Sequence, residues 1–197
     1  MDNTFVMIET QRLILRKLEK EDAADFYAYR SDSAIQEYQF FQPKSTEETL
    51  AFLAGTADFV NLINTWFQLA VCLKDTNELI GDIGMHFTQD VLQSEIGYTI
   101  APQYQRQGYA EEGVQAVMAY LFQDLGKHRI FASVDPLNLP SVRLLEKLKL
   151  RKEAHFIKSY RLADGWGDDA IYAMLEEEWF SMQIKNSKIQ GGSVNES

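Results

Sequence analysis

Residues 100–110, IAPQYQRQGYA, join the end of an apolar strand to the start of the clearest amphipathic helix of the chain. Pro102 has no backbone N–H and favours a loop after the strand. Gly108 has no Cβ, so an anion can approach the backbone closely where the helix begins. The first N–H groups of a helix are unpaired and carry partial positive charge, and Arg106 adds a cationic side chain. The junction therefore predicts a site for a phosphate-like anion.

The same residues also fit an ordinary loop-to-helix junction, because a single glycine at a helix start is a weak signal. Neither the GxGxxG dinucleotide fingerprint nor the P-loop motif GxxxxGK(S/T) occurs in the chain. The choice between the two interpretations depends on the surrounding elements.

The helix after the junction is predicted from Tyr109 to Leu125, with Gly126 as its stop. Apolar residues recur in it at three- and four-residue steps, which is typical of a face packed on a core. Before the junction we predict strands at 12–18, 66–74, 79–87 and 92–100, and helices at 21–30 and from Ser45 through Val60. After it we predict strands at 129–134, 152–162 and 169–175, a helix at 141–147, and a turn at Asp164-Gly165. This order predicts an α+β fold with a mixed, largely antiparallel sheet.

The composition excludes some classes of partner. Acidic residues outnumber basic ones by 29 to 19, for a net charge of -10, so a broad nucleic-acid-binding face is not expected. An acidic body attracts amines, although the charge also fits a role in solubility alone. The longest uncharged stretch, residues 59–73, is too short to cross a membrane. The single cysteine, Cys72, lies in an apolar run and is predicted to be a buried structural thiol in a cytoplasmic protein.

The chain length predicts one domain over residues 1–184, followed by a flexible polar tail at 185–197. Residues at the N-terminus, including Asp2 and Glu9, do not predict a signal peptide. The three histidines lack metal-ligand spacing, so no metal site is predicted; they are His86, His128 and His155. We expect His128, between Lys127 and Arg129, at the surface.

The motif QxxGxA at residues 105–110 resembles the Q/R-x-x-G-x-G/A signature of the GCN5-related N-acetyltransferase (GNAT) superfamily. The surroundings agree with the family: EIGY at 95–98 precedes the motif, and NLPS at 138–141 follows it. The ending, with WGD at 166–168 and EW at 178–179, resembles the RimJ/RimL-like subgroup, which acetylates ribosomal-protein N-termini and related amines. The resemblance covers about residues 9–180.

The resemblance implies a GNAT fold with about seven strands, helices on both faces, and splayed fourth and fifth strands, here 92–100 and 129–134. It implies acetyl-CoA as co-substrate, no metal, and direct attack of an amine on the thioester in a ternary complex. Glu95 is the candidate base, or an ordinary solvated or salt-bridged strand residue. The implied cofactor-binding residues are Tyr98, Thr99, Ile100, Gln105, Arg106, Gln107, Gly108, Tyr109, Ala110, Asn138 and Ser141.

Two positions depart from the family pattern. Many members carry a tyrosine that protonates the departing thiolate where this chain has Leu145. Ser141, Tyr98 or water then takes that role, or protonation is not limiting. Lys149 stands where a glycine often closes the last helix, which affects only the local turn.

The acceptor is left open among a protein N-terminus, an aminoglycoside-like antibiotic and a small metabolite. The predicted acceptor-binding residues are Tyr38, Phe40, His86, Trp166 and Asp168. Two other classes compete with an enzyme: a non-catalytic acyl-CoA-binding module, supported by Leu145, and a structural protein with a similar sheet. The late strands are candidates for pairing in a homodimer.

Overall fold

One sheet organises the chain in the computed structural model, which describes residues 3–39, 41–162 and 165–191. The strands are β1 (Ile8–Glu9), β2 (Leu13–Lys17), β3 (Thr65–Leu73), β4 (Leu79–Phe87), β5 (Gln93–Ile100), β6 (Arg129–Val134), β7 (Arg151–Leu162) and β8 (Gly165–Leu175). The helices are α1 (Ala23–Arg30), α2 (Ser33–Gln36), α3 (Thr46–Ala54), α4 (Tyr109–Ala119), α5 (Leu139–Lys147) and α6 (Glu176–Gly191). Short 3-10 turns at Lys20–Asp22 and Pro102–Tyr104 and a π turn at Tyr120–Asp124 complete the description.

The sheet order is β1-β2-β3-β4-β5-β6-β8-β7. Every neighbouring pair is antiparallel except β5 and β6, which are parallel. The seven predicted strands are all present, and the mixed, largely antiparallel α+β fold is confirmed. The eighth strand, β1, has two residues, too few for an alternating pattern to reveal.

Helices cover both faces of the sheet because the strands alternate. On β3, Phe67 and Leu69 belong to the larger core cluster with α4, whereas Ala70 and Cys72 belong to a second cluster with α1 and α3. Successive side chains of a strand point to opposite faces, so each cluster occupies one face. Cys72 is fully buried, as predicted.

Helices α1 and α5 begin within two residues of their predicted starts, and larger differences occur at the ends of other helices. The helix predicted over 109–125 ends at Ala119 and continues as the π turn. The helix predicted through Val60 ends at Ala54, because Gly55 follows and the Ala57 amide donates to the Trp66 carbonyl. Helix α6 extends through Gly191, into the segment predicted as a polar tail, and residues 192–197 lie outside the described part.

Strands β5 and β6 separate along their length, as predicted. Ladder pairs join them only at Gln93–Arg129, Ser94–Ile130 and Glu95–Phe131. Beyond these pairs β5 stays with β4 as far as Ile100, and β6 stays with β8 as far as Val134. A V-shaped gap therefore opens just past Glu95.

The outer surface adds two observations. Strand β7 forms one edge of the sheet and exposes Phe156 and Ile157, and the homodimer through this edge stays a prediction. Within the described ranges, no helix combines the length and apolar character needed to cross a membrane.

Candidate active site

A cavity of about 900 Å³ passes through the gap between β5 and β6. On the α1–α3 face it is lined by Tyr38, Phe41, Phe52 and Trp66, among others. In the gap the lining comes from Ile96, Gly97, Tyr98, Ala132 and Ser133, and on the α5 face from Asn138, Ser141 and Leu145. One continuous space therefore connects the two faces of the sheet at the place where the strands part.

The junction loop at 105–110 ends at the N-terminus of α4. Gly108 is the N-cap residue with a φ of +83°, and Arg106 also has a positive φ of 60°. No side-chain cap accepts a hydrogen bond from the N–H groups of the first turn of α4. The loop before this turn is exposed. The side-chain Nε2 of Gln105 donates to the Ile100 carbonyl at 2.9 Å and fixes the loop to the end of β5. These features are what an anion site at a helix start requires.

Arg12 is a neighbour of this loop that the sequence did not reveal. Its Nη1 donates to the Gln107 carbonyl at 2.9 Å, and its guanidinium lies 4.4 Å from the centroid of the Tyr109 ring. Two acids occupy the first turn of α4, and both are paired: Glu112 with Arg12 at 2.7 Å, and Glu111 with Lys147 at 2.6 Å. The pairs offset negative charge that would oppose a phosphate there.

Glu95 lies at the narrow end of the gap, with 24% of its side chain exposed. Burial, and then the nearby Asp169, raises the pKa of Glu95 above its ordinary value. Its Oε2 is 3.7 Å from Nδ1 of His86, and burial lowers the pKa of that imidazole. The His86 ring stacks on Trp66, with centroids 4.9 Å apart. A carboxylate with a raised pKa next to a cavity has the properties of a general base.

Tyr98 and Ser141 meet across the cavity. Ser141 Oγ donates to Tyr98 Oη at 2.9 Å, and the phenol lies 3.3 Å from the Ser141 carbonyl. Burial raises the pKa of Tyr98 to about 12, so the phenol keeps its proton at neutral pH. Asn138 caps α5 by accepting from the Ser141 amide, and Leu145 is buried one turn further along the helix.

The predicted acceptor residues are only partly brought together. Tyr38 lines the cavity, and His86 supports Trp66, which also lines it. Phe40 lies outside the described residues. Trp166 and Asp168 are not among the cavity-lining residues that the structure describes.

Their own contacts explain the positions of Trp166 and Asp168. Trp166 is 55% exposed, with the Arg161 guanidinium 5.4 Å from its ring centroid. Asp168 binds His155 Nε2 and the Lys158 amide, each at 2.8 Å. The next residue, Asp169, lines the cavity instead, because adjacent side chains of β8 point to opposite faces.

A buried polar network that the sequence analysis missed forms part of the cavity wall. Arg30 donates to both carboxylate oxygens of Asp82, at 3.0 and 2.5 Å, and Tyr29 Oη donates to the same carboxylate at 2.7 Å. Gln68 also donates to Asp82, and Arg30 Nη1 donates to Gln39 at 2.7 Å. Among the residues described, no group of three or more histidine, cysteine or acidic side chains is arranged to hold a metal ion.

Comparisons with known proteins identify the family of the chain. Residues 12–151 match the family model described as Acetyltransferase (GNAT) domain. A Bacillus subtilis (strain 168) relative, the uncharacterized N-acetyltransferase YnaD, is 36% identical over 172 residues, which cover 87% of this chain and 98% of the relative. The [ribosomal protein uS5]-alanine N-acetyltransferase of Escherichia coli (strain K12) is 28% identical over 88% of this chain and 93% of its own.

Solved structures give the same result. A GNAT-family acetyltransferase from Bacillus anthracis superimposes with a TM-score of 0.80, at 34% identity over 88% of this chain and all of that one. RimL, a ribosomal L7/L12 α-N-protein acetyltransferase solved with coenzyme A, shares the fold, with a TM-score of 0.76 and 17% identity over 86% of this chain and 98% of its own. The chain therefore belongs to the GNAT family and is an acetyl-CoA-dependent N-acetyltransferase with a RimJ/RimL-like resemblance.

Proposed function

We propose that this enzyme acetylates a primary amine that enters the cavity from the α1–α3 face, while acetyl-CoA approaches from the α5 face. The observation that carries the proposal is the single cavity through the β5–β6 gap, with Glu95 on one side and Tyr98 with Ser141 on the other. In this arrangement Asn138 and Ser141 line the path of the pantetheine arm, and the residues 105–110 hold the pyrophosphate. Residues 98–100 continue β5 along the arm.

Each proton has a proposed carrier. Glu95, directly or through a water, accepts the proton that the amine loses as its nitrogen forms a bond to the thioester carbonyl carbon. Tyr98, hydrogen-bonded to Ser141, gives a proton to the sulfur as the carbon–sulfur bond breaks. Tyr98 thus takes the role of the tyrosine that many family members carry where this chain has Leu145. Two substrates held in one cavity in the correct orientation account for much of the remaining rate enhancement.

The charge of the cavity supports a cationic acceptor. Its lining includes six carboxylates and two arginines. Asp82 is paired with Arg30, which leaves the acidic groups in excess. The acidic residues are Glu37, Glu48, Asp82, Glu95, Asp135 and Asp169. A protein N-terminus, by analogy with the uS5-alanine relative, an aminoglycoside-like antibiotic and a small metabolic amine all carry the required charge.

Release of free thiol from acetyl-CoA, measured against alkylamines, aminoglycosides and N-terminal peptides, tests the function. We expect turnover on one acceptor class. Tight coenzyme A binding without turnover on any amine would instead support a non-catalytic acyl-CoA-binding module and contradict the proposal.

The Glu95→Gln variant tests the base. We expect kcat to fall about 100-fold with the Kd for acetyl-CoA unchanged. A base works only when it is deprotonated. Because burial and Asp169 raise the pKa of Glu95, the acid limb of the wild-type kcat/KM profile should lie above the ordinary pKa of a glutamate. Glu177→Gln, an exposed residue on α6, is the matched control. Equal kcat values for the two variants would exclude Glu95 as the base.

A further inference from the structure

Asp169 occupies a position in the cavity that the sequence did not mark. It lies on β8, two residues before Ile171, which is the ladder partner of Ser133 on β6. Ser133 Oγ donates to Asp169 Oδ1 at 2.6 Å, so the carboxylate is held in one orientation by the arm of the gap opposite Glu95. Both residues of this pair line the cavity.

Glu95 and Asp169 therefore approach the same space from two sides of the gap. They are close enough for Asp169 to raise the pKa of Glu95. Across residues 3–39, 41–162 and 165–191, neither carboxylate forms an ion pair with a lysine or arginine. The ionisable neighbours are His86 beside Glu95, whose pKa is lowered by burial, and Tyr160, whose pKa is raised to about 12 by burial and by nearby carboxylates that include Asp169. Two partly buried acids without a cation are electrostatically costly, and a bound cation would relieve the repulsion.

An aromatic ring lines the same cavity as the two acids. Trp66 lies across Gly84, where an added Cβ would come within 3.0 Å of the indole, and its ring stacks on His86. His86 is the ladder partner of Glu95. An indole next to carboxylates favours a cationic group with an apolar stem, because the ring attracts the charge and packs against the carbon chain.

We propose that Asp169 binds the ammonium form of the acceptor amine and positions it for Glu95, so that the enzyme selects strongly basic aliphatic amines. This inference rests on the proposed function and adds a specificity-determining residue to it. Asp169 retains its bond from Ser133 while Glu95 takes one proton from the ammonium and passes it to solvent. The nitrogen then attacks as a neutral amine, Glu95 accepts the second proton as the carbon–nitrogen bond forms, and the Trp66 ring packs along the carbon chain that follows the nitrogen.

Binding of propylammonium chloride to the intact protein, followed by NMR of 13C-labelled carboxylates, tests the inference without requiring turnover. We expect propylammonium to shift the signals of Glu95 and Asp169 and its Kd to rise at least tenfold in Asp169→Asn. Propanol, which lacks the charge, should not bind. Asp124→Asn, an exposed residue with the same charge change, should bind as the wild type does. Equal propylammonium affinity in Asp169→Asn and Asp124→Asn would overturn the inference.

Kinetics separate a positioning role from a structural one. In Asp169→Asn, KM for an alkylamine should rise more than tenfold while KM for a weakly basic aromatic amine stays constant. The acid limb of the pH profile should also move to lower pH, because removal of the negative charge lowers the pKa of Glu95. An equal rise in KM for both amines, with an unchanged acid limb of the pH profile, would contradict the positioning role of Asp169. If the wild type turns over no amine, the proposed function fails and the NMR titration still decides the binding role.

Discussion

At the scale of single residues, Leu145 stands where the family resemblance implies a tyrosine in many GNAT members. This leucine is buried, and a phenol reaches the cavity from β5, where Tyr98 accepts a hydrogen bond from Ser141. Its partner Ser141 lies four residues before Leu145, on the same face of α5. The hydroxyl of Tyr98 therefore lies about one helical turn from the place where the family tyrosine would start.

Replacing Tyr98 with phenylalanine should lower kcat about 100-fold, because the sulfur loses its proton donor. KM for acetyl-CoA should stay nearly constant. Since a pKa of about 12 keeps the phenol protonated, the wild-type rate should show no alkaline fall from this group below about pH 11. The double variant Y98F/L145Y should recover part of the rate, measured by thiol release. Tyr27→Phe is the control, because the Tyr27 hydroxyl donates to the Lys44 carbonyl outside the cavity. Equal rates in Y98F and Y27F would contradict the role of Tyr98.

At the scale of elements, the start of α4 determines how the loop at 105–110 presents its amides. Gly108 has a φ of +83°, which L-residues with a side chain rarely adopt, and an added Cβ would come 3.2 Å from Nη2 of Arg12. Gly126, at the far end of the same helical segment, also has a positive φ, of 59°, but open space around it. The two glycines thus share a backbone conformation and differ in their surroundings.

Gly108→Ala and Gly126→Ala should lose similar stability, about 1 kcal/mol each, because both force alanine into a left-handed conformation. Only Gly108→Ala should weaken coenzyme A binding, by about tenfold, because the new methyl group occupies the approach of the pyrophosphate. Isothermal titration calorimetry with coenzyme A and thermal unfolding measure the two effects. An unchanged Kd in Gly108→Ala would exclude a close contact between phosphate and this backbone.

At the scale of the whole molecule, the Arg30–Asp82 pair joins the helical layer of α1 to the centre of the sheet. Both side chains are almost wholly inaccessible, with 8% and 0% exposure, and Tyr29 and Gln68 supply further bonds to Asp82. Arg30 also holds Gln39, which lies in the cavity wall. The network fixes the α1–α3 side of the cavity to strand β4.

Arg30→Met should lower the free energy of unfolding by about 3–5 kcal/mol, because it leaves the Asp82 carboxylate buried without its cation. Lys17→Met removes an ion pair to Asp58, which is 80% exposed, and should change stability little. Urea unfolding of both variants measures the difference. Equal urea midpoints for the two variants would show that the Arg30–Asp82 pair contributes no more stability than the exposed Lys17–Asp58 pair. If the Arg30→Met protein still folds, a raised KM for the acceptor amine would indicate that Gln39 has lost its hydrogen bond from Arg30.

Features under short-range control could be predicted from the residues alone. Apolar runs bounded by turn residues marked seven strands, the three- and four-residue apolar steps marked α4, and proline with glycine marked the junction at 100–110. These signals are local, because a strand or helix requires only its own residues to repeat with the right period. They failed where tertiary contacts overrode composition, as in the helix predicted through Val60, which ends at Ala54 before the Ala57 amide donates to the Trp66 carbonyl.

The set of residues that meet in the cavity depends on the tertiary structure, because these residues are far apart in the sequence. Glu95, Asp169 and Trp66 come from three separate strands, and Arg30 meets Asp82 across 52 positions of the chain. Lys127 illustrates the same point: its neighbour His128 is exposed, as predicted, whereas Lys127 itself is fully buried and donates to the Asn61 side chain. Burial and contacts with distant residues set the charge state of such groups, and neither can be predicted from the adjacent residues of the sequence.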